Sequence, residues 1–376
     1  MGVLSPETTI FTRMSALARQ HQALNLGQGF PDEGPPDFLI EAVTRVIQSG
    51  FHQYAPMAGV PELREAISKK IFKNYGYRSD PEKEITVTAG GTQALFTAIA
   101  ALVQPGDEVI IPEPAYDCYA PAVELVGGRC VFVPLNEKTF RPDWNIISSR
   151  LTEHTRMIIF NTPHNPSGAV WIEEDYAALS ALASQHPFLV LSDEVYEHIT
   201  FDGRKHIPLC TLPSLENRCL SVYSFGKVFH CTGWKMGYIV GGPRLTEKFR
   251  QVHQYNVFSV NTPLQSALAQ ALENDTWFAS LGPYFQRKRD LFISWMQGSK
   301  FHIQPARGTY FQLLQYGEIT PEDDLAFAER LTQEKKLTLI PVSFFYHRRE
   351  DHRLLRLCFA KSDDTLRTAA EILCSL

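Results

Sequence analysis

Ser224-Phe225-Gly226-Lys227 follows the apolar run Leu220-Ser221-Val222-Tyr223 and precedes Thr232-Gly233-Trp234-Lys235-Met236-Gly237, which leads into Tyr238-Ile239-Val240. An apolar strand that gives way to small residues and then a lysine presents an amine at a strand end. Similar runs lie upstream: Ile85-Thr86-Val87-Thr88, Val109-Ile110-Ile111, Val131-Phe132-Val133, Met157-Ile158-Ile159-Phe160 and Phe188-Leu189-Val190-Leu191. These short runs alternate with helical patterns, which predicts an α/β fold with a mostly parallel, helix-covered sheet of seven strands.

Before the sheet, Leu39, Ile40, Val43, Val46 and Ile47 trace one helical face after Pro35-Pro36-Asp37, and Leu63, Ala66, Ile67 and Ile71 trace another after Pro61. After it, a long helix is expected over Ala279 to Gln297, then a strand near Tyr310 to Leu314 and a helix near Asp323 to Glu334. The expected division is a large domain over 37–280 and a smaller α+β domain built from 1–36 and 281–376.

Ligands of open α/β sheets bind outside the carboxyl ends of the strands, and four elements place chemistry there. Gly90-Gly91-Thr92 opens a helix after the first strand; glycines allow close backbone approach, and free N–H groups at a helix start favour a phosphate. Asn165, in Asn161-Thr162-Pro163-His164-Asn165-Pro166-Ser167-Gly168, follows another strand, and Asp193 with Tyr196, in Ser192-Asp193-Glu194-Val195-Tyr196, a third. Lys227 follows the fourth. This set suits pyridoxal 5'-phosphate: an amine to condense with the aldehyde and to carry protons, a buried carboxylate to keep the ring nitrogen protonated, and a phenol and an amide beside the ring oxygen. Lys227, Asp193 and Tyr196 are therefore the catalytic candidates. Each has a plainer alternative: a surface lysine, a helix cap at Asp193, a core tyrosine.

The rest of the composition narrows the function. A formal net charge of −5 over 376 residues gives no basic field for nucleic acid or an anionic membrane. Seven cysteines without a Cys-x-x-Cys pair argue against a disulfide framework and fit a reducing cytoplasm. Neither Gly-x-x-x-x-Gly-Lys-Ser/Thr nor Gly-x-Gly-x-x-Gly is present, and the twelve histidines show no metal-ligand spacing. The longest apolar stretch, around Leu95 to Val103, is too short to span a bilayer.

Taken together, these stretches resemble the fold-type-I, class I and II aminotransferases, within them the kynurenine aminotransferase branch and bacterial methionine aminotransferases. Asn25-Leu26-Gly27-Gln28-Gly29-Phe30-Pro31, Gln53-Tyr54-Ala55-Pro56-Met57-Ala58-Gly59, Ser192 to Ile199 and Leu355-Arg356-Leu357-Cys358-Phe359-Ala360-Lys361 carry the likeness. The resemblance implies that Lys227 holds the cofactor, Asp193 its ring nitrogen, and Tyr196 with Asn165 its ring oxygen. It implies further that Gly90, Gly91, Thr92, Ser224 and Lys235 surround the phosphate and that Tyr116 stacks on the ring. Arg356 would bind the substrate α-carboxylate as a fork, beside Gly29, Phe30 and Asn165. Tyr54 would reach the phosphate of a neighbouring subunit, so a homodimer with shared sites is implied, with Phe258 also offered to the neighbour's pocket. Lys235 stands where many class I members have arginine, and Ser167 where threonine is common.

The implied reaction is a ping-pong transamination between amino acids and 2-oxo acids. An aromatic pocket without a second dedicated arginine favours methionine and other apolar or aromatic donors. A cysteine-conjugate β-lyase, or a kynurenine aminotransferase, would share every cofactor residue; a non-catalytic regulator that senses pyridoxal phosphate is a further alternative. Arg356, between leucines, could instead sit in a structural ion pair. His230, three residues after Lys227, could line the pocket or sit in an exposed loop.

Overall fold

The computed structural model describes residues 9–376. Strand β1 (Leu24–Asn25) is followed by β2 (Ile85–Thr88), β3 (Glu108–Glu113), β4 (Arg129–Pro134), β5 (Thr155–Asn161), β6 (Leu189–Asp193), β7 (Cys219–Ser224) and β8 (Gly237–Gly241). The last seven form one sheet in the order β2-β8-β7-β6-β5-β3-β4. Only β8 runs antiparallel to its neighbours; the other pairs are parallel. Parallel neighbours need crossovers, and helices supply them on both faces. Alternate residues of one strand therefore enter different apolar layers. Val109, Ile111, Met157 and Ile159 pack with Leu95 and Ile99 of the helix Gly91–Leu102, whereas Ile110, Ile158 and Val190 face the larger core with Leu63 and Ile67. Burial on both sides is why these strands read as continuous apolar runs.

The C-terminal part holds β9 (Phe311–Gln315), β10 (Leu337–Thr338), β11 (Ile340–Pro341) and β12 (Leu354–Cys358). β11, β12 and β9 form an antiparallel sheet, and β10 pairs with β1, which ties the N-terminal segment to this part of the chain. Residues 1–8 of the expected small domain lie outside the described residues. The long helix spans Asp275–Trp295, one turn earlier than expected, because the Asn274 side chain caps it by accepting from the Trp277 N–H at 3.1 Å.

One expectation is corrected. The helix Asp37–Gln48 forms, but it buries Leu39, Ala42 and Val46, while Ile40 and Ile47 are 43% and 51% exposed. Each lies about 100° round the helix from its buried neighbour, outside a narrower inward stripe than the isoleucines suggested.

Candidate active site

Register brings the rim residues together. Asn161 pairs with Asp193 across β5 and β6, and Gly237 stands between Thr88 and Ser224, so the carboxyl ends of β2, β5, β6 and β7 share one edge. Above that edge lies a cavity of about 430 Å³. Gly90, Gly91, Thr92, Asn165, Asp193, Tyr196, Ser224, Lys227 and Lys235 line it from the sheet rim, Tyr116 from the segment after β3, Gly29 and Phe30 from the N-terminal segment, and Arg356 from β12. Every candidate residue except Tyr54, Phe258 and His230 is in this wall.

Asp193 is buried at the end of β6. Its Oδ2 accepts from the Tyr119 hydroxyl at 2.7 Å, while Oδ1 meets only the Val195 N–H at 3.4 Å. Burial raises the carboxyl to about 6, against the pull of Tyr119, Val195 and the Lys227 charge. Lys227 lies 5.7 Å from the centre of the Tyr196 ring, and its Nζ donates to the Gly29 carbonyl at 3.1 Å. Burial lowers its amine to about 8, so a neutral, nucleophilic form is within reach of neutral pH.

Arg356 is buried in β12 with 1% exposure. It donates to Asn165 Oδ1 and to the Gly27 carbonyl, each at 2.7 Å, and stacks 4.0 Å over the Phe311 ring. Its Nε has no partner, and no carboxylate of the described residues forms a salt bridge with it. The structural ion pair is thus absent, and a buried guanidinium retains donors for an incoming carboxylate. In the same cavity wall the helix Gly91–Leu102 starts without a side-chain cap, after Gly90 at φ +84°. Its first N–H groups are free to meet an anion, and a Cβ on Gly91 would approach Val195 to 3.1 Å.

Tyr54 is 80% exposed and packs edge-on against Phe258, itself 48% exposed, at 5.3 Å; neither lines the cavity of its own chain. His230 does not line the cavity either: it lies among Trp277, Tyr284 and Phe285. Three contributors were missed in the sequence. Tyr119 holds Asp193; Asn161 accepts from the Asn165 N–H at 2.7 Å and donates to the Asp193 carbonyl at 2.8 Å; Tyr310 donates to the Gly29 carbonyl at 2.8 Å. The one available signal was Asn161, a polar residue closing an apolar strand.

Comparison with known proteins agrees with this cavity. The family model for aminotransferase class I and II matches residues 21–373. The chain belongs to the class I and II aminotransferases. It is 48% identical over 365 residues to the methionine aminotransferase of Escherichia coli strain K12, covering 97% of this chain and 95% of that one. It is 35% identical to mouse kynurenine–oxoglutarate transaminase 1, covering 97% and 94%. Among solved structures, that of YbdL from Escherichia coli superposes with a TM-score of 0.96 at 47% identity, over 99% of this chain and 98% of that one.

Aminotransferases of this fold depend on pyridoxal phosphate and move an amino group between amino acids and 2-oxo acids. The cavity fits that cofactor on its own evidence: an uncapped helix start for a phosphate, a buried carboxylate with an underused oxygen for a ring nitrogen, and an amine of lowered basicity. Among the described residues, no helix is long and apolar enough to cross a membrane.

Proposed function

We propose that this aminotransferase takes methionine and other apolar or aromatic amino acids as donors. The observation that carries the reading is Arg356, buried without a carboxylate partner in the same cavity as Lys227, against the rings of Phe11 and Phe311, in a lining that also includes Phe30. The cations lining the cavity are Lys227, Lys235 and Arg356, so after one carboxylate is bound no further arginine is present for a second. That disfavours dicarboxylates and leaves room for a thioether or an aromatic ring. The likeness to a methionine aminotransferase supports the same choice.

When bound, pyridoxal phosphate supplies an aldehyde for the amino group and a ring that accepts electrons from the substrate carbon. Asp193 would hold the proton on its ring nitrogen, and Tyr196 and Asn165 would hold its ring oxygen. Gly90, Gly91, Thr92, Ser224 and Lys235 would hold its phosphate, and Tyr116 would supply an aromatic face for its ring. Arg356, beside Gly29 and steadied by Asn165, orients the substrate carboxylate. Lys227 moves the proton, which its burial-lowered basicity permits. The exposed Tyr54 and Phe258 support a homodimer in which each subunit completes the other's site. The seven free cysteines support residence in a reducing cytoplasm. The division at 37–280, with the remainder as a smaller domain, is kept as part of this reading.

A panel of single amino acids added to the cofactor-loaded protein, without acceptor, tests it through formation of pyridoxamine phosphate. Methionine should convert fastest, with phenylalanine, tyrosine and leucine behind it. Faster conversion by aspartate or glutamate would overturn the substrate assignment, and release of pyruvate and ammonia from cysteine conjugates in place of transamination would favour the lyase.

A further inference from the structure

The Gly29 carbonyl oxygen accepts two side-chain hydrogen bonds, from Lys227 Nζ at 3.1 Å and from the Tyr310 hydroxyl at 2.8 Å. Tyr310 is completely buried, immediately before β9, and comes from a different part of the fold than Lys227. Its ring lies edge-on to Tyr196 at 5.2 Å, with Nζ 5.9 Å from its centre. A Cβ on residue 29 would come within 2.6 Å of the Phe311 ring, so this carbonyl is held by a glycine fitted against aromatic side chains.

A carbonyl has two lone pairs, and a donor on one makes the other a weaker acceptor. A hydrogen bond to an ammonium favours the charged form. A Gly29 carbonyl bound to Lys227 alone would therefore hold the amine protonated more firmly than a carbonyl shared with a phenol.

We propose that Tyr310 is a positioning residue for Lys227. By sharing the Gly29 carbonyl it fixes where the lysine amine rests and weakens that carbonyl's hold on the ammonium form, which keeps the amine available to take a proton. The inference rests on the reading of Lys227 as the proton carrier. The charged and titratable groups facing that amine are Asp193 and Tyr196 from the β6 end, Lys235 from the turn before β8, Tyr310 before β9, and Arg356 and Cys358 from β12. Burial is the main influence; Cys358 and Asp193 favour the charged amine, and Arg356 and Lys235 oppose it. Tyr310 acts against that background through a neutral hydrogen bond.

The test uses the full chain loaded with pyridoxamine phosphate, in which Lys227 carries a free amine. Its acetylation rate is followed against pH by peptide mass spectrometry, in the wild type and in Tyr310→Phe. The midpoint should rise by about 0.5 in pH, the effect of one hydrogen bond of modest strength. Turnover at pH 7 should fall by about threefold, recover above about pH 9.5, and leave KM for the amino donor unchanged. A tyrosine that only braces the Gly29 segment would lower kcat by one factor at every pH with the midpoint unmoved, and that result overturns the proposal. Ring-fluorinated tyrosine at 310, a stronger donor in the same space, should move the midpoint down; an unmoved or rising midpoint overturns it even where Tyr310→Phe does not fold. Lys227→Ala separates the two readings: turnover in that variant would sink Lys227 as proton carrier, whereas the acetylation midpoints judge Tyr310 independently.

Discussion

Asp193 and Glu194 are neighbours in the chain, yet they enter regions that treat buried charge in opposite ways. Glu194 turns away from the cavity, where Oε2 meets His206 at 2.7 Å and Tyr223 at 3.2 Å, and Oε1 accepts from the Leu209 N–H at 2.9 Å and the Ser221 hydroxyl at 2.7 Å. Beside it Glu197 is bound by Lys70, by the Tyr75 hydroxyl at 2.6 Å and by the Tyr238 hydroxyl at 3.2 Å. Burial pushes Glu197 up, but the charge and hydrogen bonds around it prevail, Lys70 foremost, and hold it at about 2. On the cavity side burial prevails instead: Asp193 keeps one strong donor, and Arg356 keeps a free Nε. Buried charges that close among themselves stabilise the fold, whereas those left partly unmatched are the ones a ligand can complete.

Removing Lys70 should break this contrast most severely. Lys70→Met strands Glu197 without its cation and should cost about 3–5 kcal/mol of stability, read by urea denaturation. A loss below about 1 kcal/mol would mean that the network behind the sheet is not closed in the way its hydrogen bonds suggest. Arg356→Lys should behave inversely. With no ion pair to break, stability should change by no more than about 1–2 kcal/mol, while kcat/KM for the amino donor falls by about 10²–10³ because an ammonium cannot grip a carboxylate as a fork. A variant that lost stability and kept kcat/KM would put Arg356 in the same class as Lys70.

The same contrast explains what could be read from the sequence. Strands β3, β5, β6 and β7 were legible because parallel strands covered on both faces are apolar throughout, β2, β4 and β8 because they too are short runs rich in β-branched and aromatic residues, and the rim candidates because each follows such a strand. The role of Tyr310 was not legible: a tyrosine amid Thr309 and Phe311 reads as core, and only the fold reveals that its hydroxyl meets the carbonyl that also receives Lys227. Tyr119 was hidden for the same reason. For Arg356 the sequence left an ion pair open, since Leu355 and Leu357 specify burial but not a partner. Ile40 and Ile47 misled because apolar spacing reports a helix more reliably than the width of its buried stripe.

A smaller effect separates the two carboxylates by sign. Asp193 titrates at about 6 in the folded chain against an ordinary 3.8, so it binds its proton more tightly folded than unfolded. Its contribution to stability is full below about pH 4 and is lost as pH rises through about 6. Glu197 does the reverse: held at about 2 against an ordinary 4.5, its contribution is present above about 4.5 and lost as pH falls through about 2. Asp193→Asn should therefore stabilise protein stripped of cofactor by about 3 kcal/mol at pH 7 and by only about 0.5 kcal/mol at pH 4. Urea denaturation at the two pH values checks this, and an equal gain at both would show that the Asp193 carboxyl is not the titrating group.

The smallest expected effect sharpens the comparison by extending it beyond one chain. Tyr54 and Phe258 are large aromatic side chains left exposed against each other, unlike the buried tyrosines around the cavity. If Tyr54 serves the partner's phosphate, Tyr54→Phe keeps the ring contact and loses one hydrogen bond, so the cofactor Kd should rise by about fivefold with dimer assembly intact. Mixing then decides which subunit benefits. A hybrid of a Tyr54→Phe subunit and a Lys227→Ala subunit contains one site with a native Lys227 and a native Tyr54 from across the interface, and that site should regain wild-type cofactor affinity and turnover. If Tyr54 acted within its own chain, the only working lysine in the hybrid would keep the altered tyrosine beside it, and mixing would restore nothing.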